Sequence, residues 1–229
     1  MKILAIETAT DACSCALFID GACEERFAVA PQRHAELILP MVSELLAASE
    51  LILQQLDGIA FGRGPGAFTG VRIAAGVAQG LAFGTQLPVA PISTLRALAQ
   101  GAYRIQGTGH VLTAIDARMG EVYWGAYGVD DAGRMAAIVN DCVALPDQVR
   151  VPHGDHWFGV GSGWQSYHRA LSQRVGKALE GHEGKRFPQA QDVALLGAET
   201  LAAGNGVGAH EALPLYLRNR VAAEPANRP

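Results

Sequence analysis

The densest group of residues that could do chemistry is GRGPGAFTGVRIAAGVAQG, residues 62 to 80. Gly62, Gly64, Gly66 and Gly70 precede a helical pattern that begins near Val71. That supplies two parts of a phosphate cradle, exposed backbone N–H groups and a helix N-terminus. The usual third part, a lysine that reaches the outer phosphates, is missing. There is no G-K-[ST], and the lysines of the chain are Lys2, Lys177 and Lys185. Arg63 or Arg72 would have to take its place. The plainer reading, which we favour, is a strand-to-helix turn whose glycines let the backbone run close to a neighbour.

The helix after the turn carries a second pattern. Gly76, Gly80 and Gly84 recur at spacing four, and so do Ala74, Ala78 and Ala82. Interior glycine weakens a helix by roughly 1 kcal/mol relative to alanine, so the stripe needs a packing reason. Either it lies against the protein's own sheet, or a helix of another chain crosses it. The preceding helical pattern, residues 33 to 49, has Leu37, Ile38, Met41, Val42, Leu45 and Leu46 on a wide apolar arc, with Pro40 expected to bend it. Its width favours the second alternative. The expected partner face is His34, Leu37, Ile38, Met41 and Leu45 with Arg72, Gly76 and Gly80. A charge at Leu45, or leucine at Gly80, is expected to abolish the complex and leave the monomer folded.

Other candidates are weaker. Glu7, Asp11 and Asp116 close short strands, where phosphate or metal chemistry sits in a two-domain ATP-binding fold, although turn and cap roles explain them almost as well. Glu7, Gly64, Gly66 and Asp116 are thus the candidates for a degenerate phosphate site. His153, Asp155 and His156 lack a third ligand region and read as a solvated loop. His34 opens a helix and reads as a cap or interface residue. We expect no cofactor and no metal.

The elements that must position these residues follow from periodicity. KILAIETAT, CSCALFID and CEERFAVA read as three strands, the last two joined by an Asp20-Gly21 turn. The helix at 33–49, the strand LDGIAFG, the helix at 71–84, the strand LPVAPI and the helix STLRALAQGAY, capped by Ser93 or Thr94, complete a β-β-β-α-β-α-β-α order. The order then begins again with GHVLTAIDARMGEVYWGAYGVD and GRMAAIVNDCVAL, a short helix at PDQVR, the strand WFGVGSG and helices WQSYHRALSQRV and DVALLGAETLAAG. Setting Ile115-Asp116 over Ile6-Glu7 also brings Tyr127 over Phe18, a faint internal repeat. The chain reads as two similar α/β halves, the second less complete, with a boundary in GAYRIQGTGH, residues 101 to 110.

A chain of 229 residues, 49% hydrophobic with a net charge of -4, can bury a large core and has no general attraction for nucleic acid. Its four cysteines include no C-x-x-C pair and read as small buried apolar residues in a reducing compartment. No segment suits a membrane span, and the four apolar residues after Lys2 are too few for a signal peptide. A cytoplasmic protein is expected.

Five separated segments carry a resemblance. ILAIETATDACSCALF, RHAELILPMV, GRGPGAFTGVRIAAGVAQGLAF, TAIDARMGEVYWGAY and PLYLRN, from Met1 to about Asn219, closely resemble the TsaB family, also called YeaZ, of tRNA threonylcarbamoyladenosine biosynthesis proteins. The resemblance implies an actin-like ATPase (ribonuclease H-like) fold of two β-β-β-α-β-α domains, here 1–105 and 106–229. It implies a role in threonylcarbamoylation of the adenosine beside the anticodon in tRNAs that read codons starting with A. The catalytic subunit of that system is the paralogue TsaD, whose metal-binding histidine pair would fall at about Thr94 and Leu98, neither of which can replace an imidazole. The phosphate hairpin Asp-x-Gly-Thr of ATP-using relatives is altered to ETATDA. A non-catalytic subunit is implied, bound to TsaD through helices 33–49 and 71–84, joined by the ATPase TsaE and linked to TsaC, with tRNA held only through the complex. An apolar partner face left empty also favours self-association. The alternatives are a small-molecule kinase or ATPase using Arg63, Glu7 and Asp116, and a metallopeptidase, for which the chain offers no credible ligand set.

Overall fold

The computed structural model describes residues 1–218, so the polar tail VAAEPANRP, expected to be mobile, lies outside the described residues. Strands β1 (Lys2–Glu7), β2 (Ala12–Ile19) and β3 (Ala22–Val29) form an antiparallel meander, and helix α1 (His34–Ala48) leads to β4 (Gly58–Gly62). Helix α2 (Phe68–Thr85), β5 (Val89–Ile92) and α3 (Thr94–Gln106) follow. The sheet order is β3-β2-β1-β4-β5, with β1, β4 and β5 parallel. Asp20 and Gly21 both have positive φ, 47° and 100°, as the tight hairpin turn requires.

The second half repeats this plan with one helix fewer. β6 (His110–Arg118), β7 (Glu121–Val129) and β8 (Met135–Ala144) are followed directly by β9 (Trp157–Val160), then α4 (Ser162–Val175), β10 (Leu179–Glu183) and α5 (Ala190–Ala202). The order β10-β9-β6-β7-β8 is the first sheet's order read from the other edge. Two such repeats are the actin-like, ribonuclease H-like arrangement. The hairpins differ by one residue in register, because Ile3 pairs with Phe18 whereas Leu112 pairs with Ala126, so Tyr127 does not fall over Phe18.

Alternate residues of a strand face opposite sides, and the first sheet uses the two sides differently. Leu4, Ile6, Cys13, Cys15, Leu17, Ile59 and Phe61 meet α1 and α2. Ile3, Ala5, Ala16, Ala60 and Ala90 meet α5. The small residues of the second set let α5 approach so closely that a Cβ on Gly197 would stand 2.4 Å from the Ala60 methyl.

The last helices of the repeats are exchanged. Leu95, Leu98, Ala99 and Ala102 of α3 pack on Val111, Ile115, Tyr127 and Val160 of the second sheet, while α5 serves the first. Arg104 of α3 clamps the buried carboxylate of Asp192 in α5 through two 2.9 Å hydrogen bonds, fixing the helices side by side. We propose the division 1–105 and 106–229 as a division of sheets, each with one helix given to the other.

Two local expectations are corrected, the helix at PDQVR and the single class of buried cysteines. Helix α3 runs past the expected end at Tyr103 to Gln106, inside the segment where the boundary is expected, and is capped by Gly107 with φ 71°. Helix α1 continues through Pro40, which is exposed. PDQVR is a turn: the Val149 and Arg150 carbonyls accept from Arg174 Nε and the Trp124 indole, both at 2.9 Å, instead of from a helix. Strand β10, LEGHE, escaped the periodicity reading since it has one large apolar residue. Ser93 is the N-cap of α3, its hydroxyl accepting from the Arg96 amide at 3.2 Å. Cys13 and Cys15 are buried, but Cys142 is half-buried and Cys23 exposed, so the cysteines do not form one buried class.

Candidate functional site

Two regions collect the candidates: a cleft between the sheets and the outer face of α1 and α2. The cleft, about 830 Å³, lies between the β1–β2 turn and the start of α2 on one side and the β6–β7 turn and α4 on the other. Gly66 and Asp116 line it; Glu7, Gly64 and Arg63 do not.

Glu7 has the strand parity of Ile3 and Ala5 and is fully buried. Its carboxylate accepts from the Ala9 amide at 2.7 Å and the Thr94 hydroxyl at 3.1 Å, and the Gly64 amide donates to that same hydroxyl at 3.2 Å. Burial pushes the carboxyl up to about 7, against the opposing pull of these hydrogen bonds. The N–H of the hairpin turn that a phosphate would use is therefore held by an internal acid. A Cβ on Gly62 would stand 1.9 Å from that carboxylate.

The glycines after β4 do packing work. The Ala67 amide donates to the Ala9 carbonyl at 2.7 Å, and the Thr8 hydroxyl donates to the Gly70 carbonyl at 2.7 Å. A Cβ on Gly66 would fall 2.3 Å from the Ala9 carbonyl oxygen, and one on Gly70 2.0 Å from that of Thr8. Gly64 has φ 100° and packs under Val71 and the Leu215 carbonyl. The turn is a joint between α2 and the β1–β2 hairpin, as the plainer reading expects.

Asp116 is the cleft's built carboxylate. It accepts from Ser166 at 3.4 Å and Tyr167 at 3.3 Å, and it stands 3.6 Å from the Arg118 guanidinium. Asp11 is exposed on the opposite wall. The sequence reading missed Arg186, Tyr216 and Arg218, which line the cleft together with Arg72 and Arg118. The PLYLRN segment was visible only as a matching motif, with nothing in its periodicity to show where it runs. Arg63 lies toward Asp141, whose carboxyl is raised by burial and lowered in part by that charge. Thr94 is bonded to Glu7, and Leu98 is a core residue against Gly161, so the place of a histidine pair is filled.

His153 and Asp155 are exposed in a loop, and His156 pairs with Glu180. Among the described residues no three His, Cys, Asp or Glu side chains come together as a metal site.

The outer face divides the expected partner residues. On α1, His34, Ile38, Val42 and Leu45 form the buried stripe, Ile38 at 1% and Leu45 at 0% exposure. The His34 Nε2 contacts the Ala12 carbonyl at 3.2 Å, tying the helix to β2, so it is neither a cap nor a surface residue. His34, Ile38 and Leu45 are therefore removed from the partner face, because this chain's own core covers them. A charge at Leu45 would disrupt that core and not only a complex. Leu37 and Met41 are half-buried, and Leu39, not foreseen, is exposed.

On α2 the two small-residue stripes part. Ala74, Ala75, Ala78 and Ala82 pack on the sheet. Arg72, Gly76, Gly80 and Gly84 are exposed, and a Cβ on any of the three glycines would meet nothing within 4 Å among the described residues. Phe83, at 82% exposure, stands at the far end of this bare stripe.

The family model described as TsaD, tRNA N6-adenosine threonylcarbamoyltransferase, matches residues 28–223. The chain is 44% identical over 225 residues to the tRNA threonylcarbamoyladenosine biosynthesis protein TsaB of Escherichia coli, covering 97% of this chain and 96% of that protein. It is 42% identical over 229 residues to the protein of the same name from Haemophilus influenzae, covering 96% and 95%. The solved structure of YeaZ from Pseudomonas aeruginosa superposes with a TM-score of 0.88 at 46% identity, covering 94% of this chain and 99% of that one.

Proposed function

The chain belongs to the TsaB family of tRNA threonylcarbamoyladenosine biosynthesis proteins, and from that premise we propose that it is a non-catalytic subunit that binds and organises TsaD. The observation that carries the reading is the bare stripe of α2. Glycine at an interior helix site lowers stability by roughly 1 kcal/mol against alanine, and Gly76, Gly80 and Gly84 have no neighbour among the described residues that needs the space. A second helix laid across them would find backbone instead of side chains and could approach closely. On α2 itself Phe83, one residue before Gly84, adds exposed apolar surface.

The cleft supports the same reading from the other side. The Ala9 amide of the β1–β2 turn is taken by Glu7, and Gly66 and Gly70 are packed against Ala9 and Thr8. TsaE would join the complex, TsaC would supply the activated threonylcarbamoyl group, and tRNA would be held mainly by the partner. A cytoplasmic location belongs to this reading; no helix among the described residues is long and apolar enough to cross a membrane. The same bare face gives the free chain a route to homodimers.

The volume of the cleft and its arginines favour a second reading, an independent kinase or ATPase. Titration calorimetry with Mg-ATP separates the two: tight binding with turnover by the chain alone supports the enzyme.

The test of the leading reading is nucleoside mass spectrometry of total tRNA from cells depleted of this protein. Threonylcarbamoyladenosine is expected to disappear, and to return with the wild-type chain but not with Gly80→Leu. Unchanged levels under confirmed depletion would contradict the proposal.

A further inference from the structure

The segment Ala212–Arg218 runs along α2 and over the mouth of the cleft. Gln79 Nε2 donates to the Ala212 carbonyl at 3.0 Å, the Leu215 amide donates to the Arg63 carbonyl at 2.7 Å, and Arg218 pairs with Glu121 beside the β6–β7 turn. Between these anchors the strap brings Tyr216 onto Arg72. Arg72 Nε donates to the Tyr216 hydroxyl at 2.8 Å, and its Cζ lies 3.2 Å from the centroid of the Phe68 ring and 5.3 Å from that of Tyr216. The two rings are 6.0 Å apart.

The guanidinium is thus clamped by two aromatic rings and one hydroxyl. Among the described residues it pairs with no carboxylate, and its two terminal nitrogens make no hydrogen bond. Much of the freedom an arginine loses on binding is already lost here, while a planar fork of N–H donors stays available. Such a fork matches a carboxylate or a phosphate.

The surroundings choose between them. Arg72 is exposed and begins the stripe that continues through Gly76 and Gly80; Phe68 and Tyr216 beside it, and Leu213 of the same strap, are exposed as well. An arginine among exposed aromatic and aliphatic groups is the composition of a protein–protein anchor. A phosphate backbone needs a track of available cations, whereas Arg118, Arg186 and Arg218 are already paired with Asp116, Glu183 and Glu121.

We propose that Arg72, held by Phe68 and by the strap residue Tyr216, is the recognition cation for an acidic side chain on a protein helix docked across α2. The proposal rests on the partner reading above and adds the strap to the interface, with Tyr216 as a positioning residue. The docked helix presents small residues to Gly76 and Gly80 and a carboxylate to Arg72.

The test is calorimetric titration of the full-length chain with purified TsaD at low and high salt, with each variant's folding checked by thermal melting. Arg72→Ala is expected to weaken binding at least about 30-fold at low salt, and by less as salt rises. Arg72→Lys keeps the charge but loses the fork, and is expected to weaken binding about tenfold. Tyr216→Phe keeps the ring and the cation, and is expected to weaken it about threefold to tenfold through lost pre-organisation. Wild-type affinity in both Arg72→Lys and Tyr216→Phe, with TsaD still bound by the parent chain, would overturn the cation site and leave the partner reading intact. No binding by the parent chain would overturn both. Variants that bind TsaD normally but lower the affinity of the complex for tRNA would overturn the carboxylate assignment in favour of a phosphate.

Discussion

Gly66 and Gly70 face inward with no room for a side chain, whereas Gly76 and Gly80, farther along the same segment, face outward with nothing among the described residues within 4 Å of where a Cβ would stand. The first pair is explained by the fold, since the Thr8 and Ala9 carbonyls fill the space beside it. The second pair is not, since it weakens α2 and meets nothing else among the described residues. The contrast separates a packing joint from a surface kept bare, and it moves the functional weight from the cleft to the outer face of α2.

The largest effect is expected at the joint. Gly70→Val drives a branched side chain into the Thr8 carbonyl, and a loss of about 4 kcal/mol or more is expected in denaturant unfolding. A loss below about 1 kcal/mol would mean that the hairpin and α2 part easily, and would reopen the turn as a binding loop.

The next effect belongs to Glu7 and depends on pH. Its carboxyl stands at about 7 in the fold against an ordinary 4.5, so the folded chain holds the proton more tightly than the unfolded one. The stabilisation this gives is complete below the unfolded value and is lost as pH rises through the folded one, a swing of about 3 kcal/mol. Glu7→Gln imitates the protonated acid and escapes that loss. Its stability relative to wild type should therefore rise between pH 5 and pH 8, measured from urea midpoints. A pH-independent difference would show that the carboxylate is better stabilised than its burial implies.

The smallest effects sharpen the other side of the comparison. Gly76→Ala and Gly80→Ala should each stabilise the free chain, by about 0.5–1 kcal/mol, because alanine suits an exposed helix site better. A loss of stability at either would reveal an internal packing role and remove the case for a bare face.

Much of the fold was legible because strand and helix periods were clear in KILAIE, CSCALFI and the α2 segment. Strand β10 was not, since LEGHE at a sheet edge carries little apolar alternation. The exchange of α3 and α5 was not legible either: the pattern Leu95, Leu98, Ala99 and Ala102 shows that a face is buried, not which sheet buries it. The same limit governed α1, where a wide apolar arc left open whether Ile38 and Leu45 served a partner or the core. Glu7 was placed at a strand end, yet its parity with Ile3 and Ala5 already carried the signal that it points inward. The clamp on Arg72 joins residues far apart in sequence, and only the path of the strap brings them together.

The most direct measurement of the central claim is the heterodimer itself. Gly80→Leu and wild type would each be mixed with TsaD and followed by size-exclusion chromatography with light scattering. Wild type is expected to form the complex, and Gly80→Leu, folded and at least as stable to heat as the parent, is expected to elute without TsaD. An undiminished Gly80→Leu complex would contradict the account, because the bare stripe of α2 would then have no part in holding the partner.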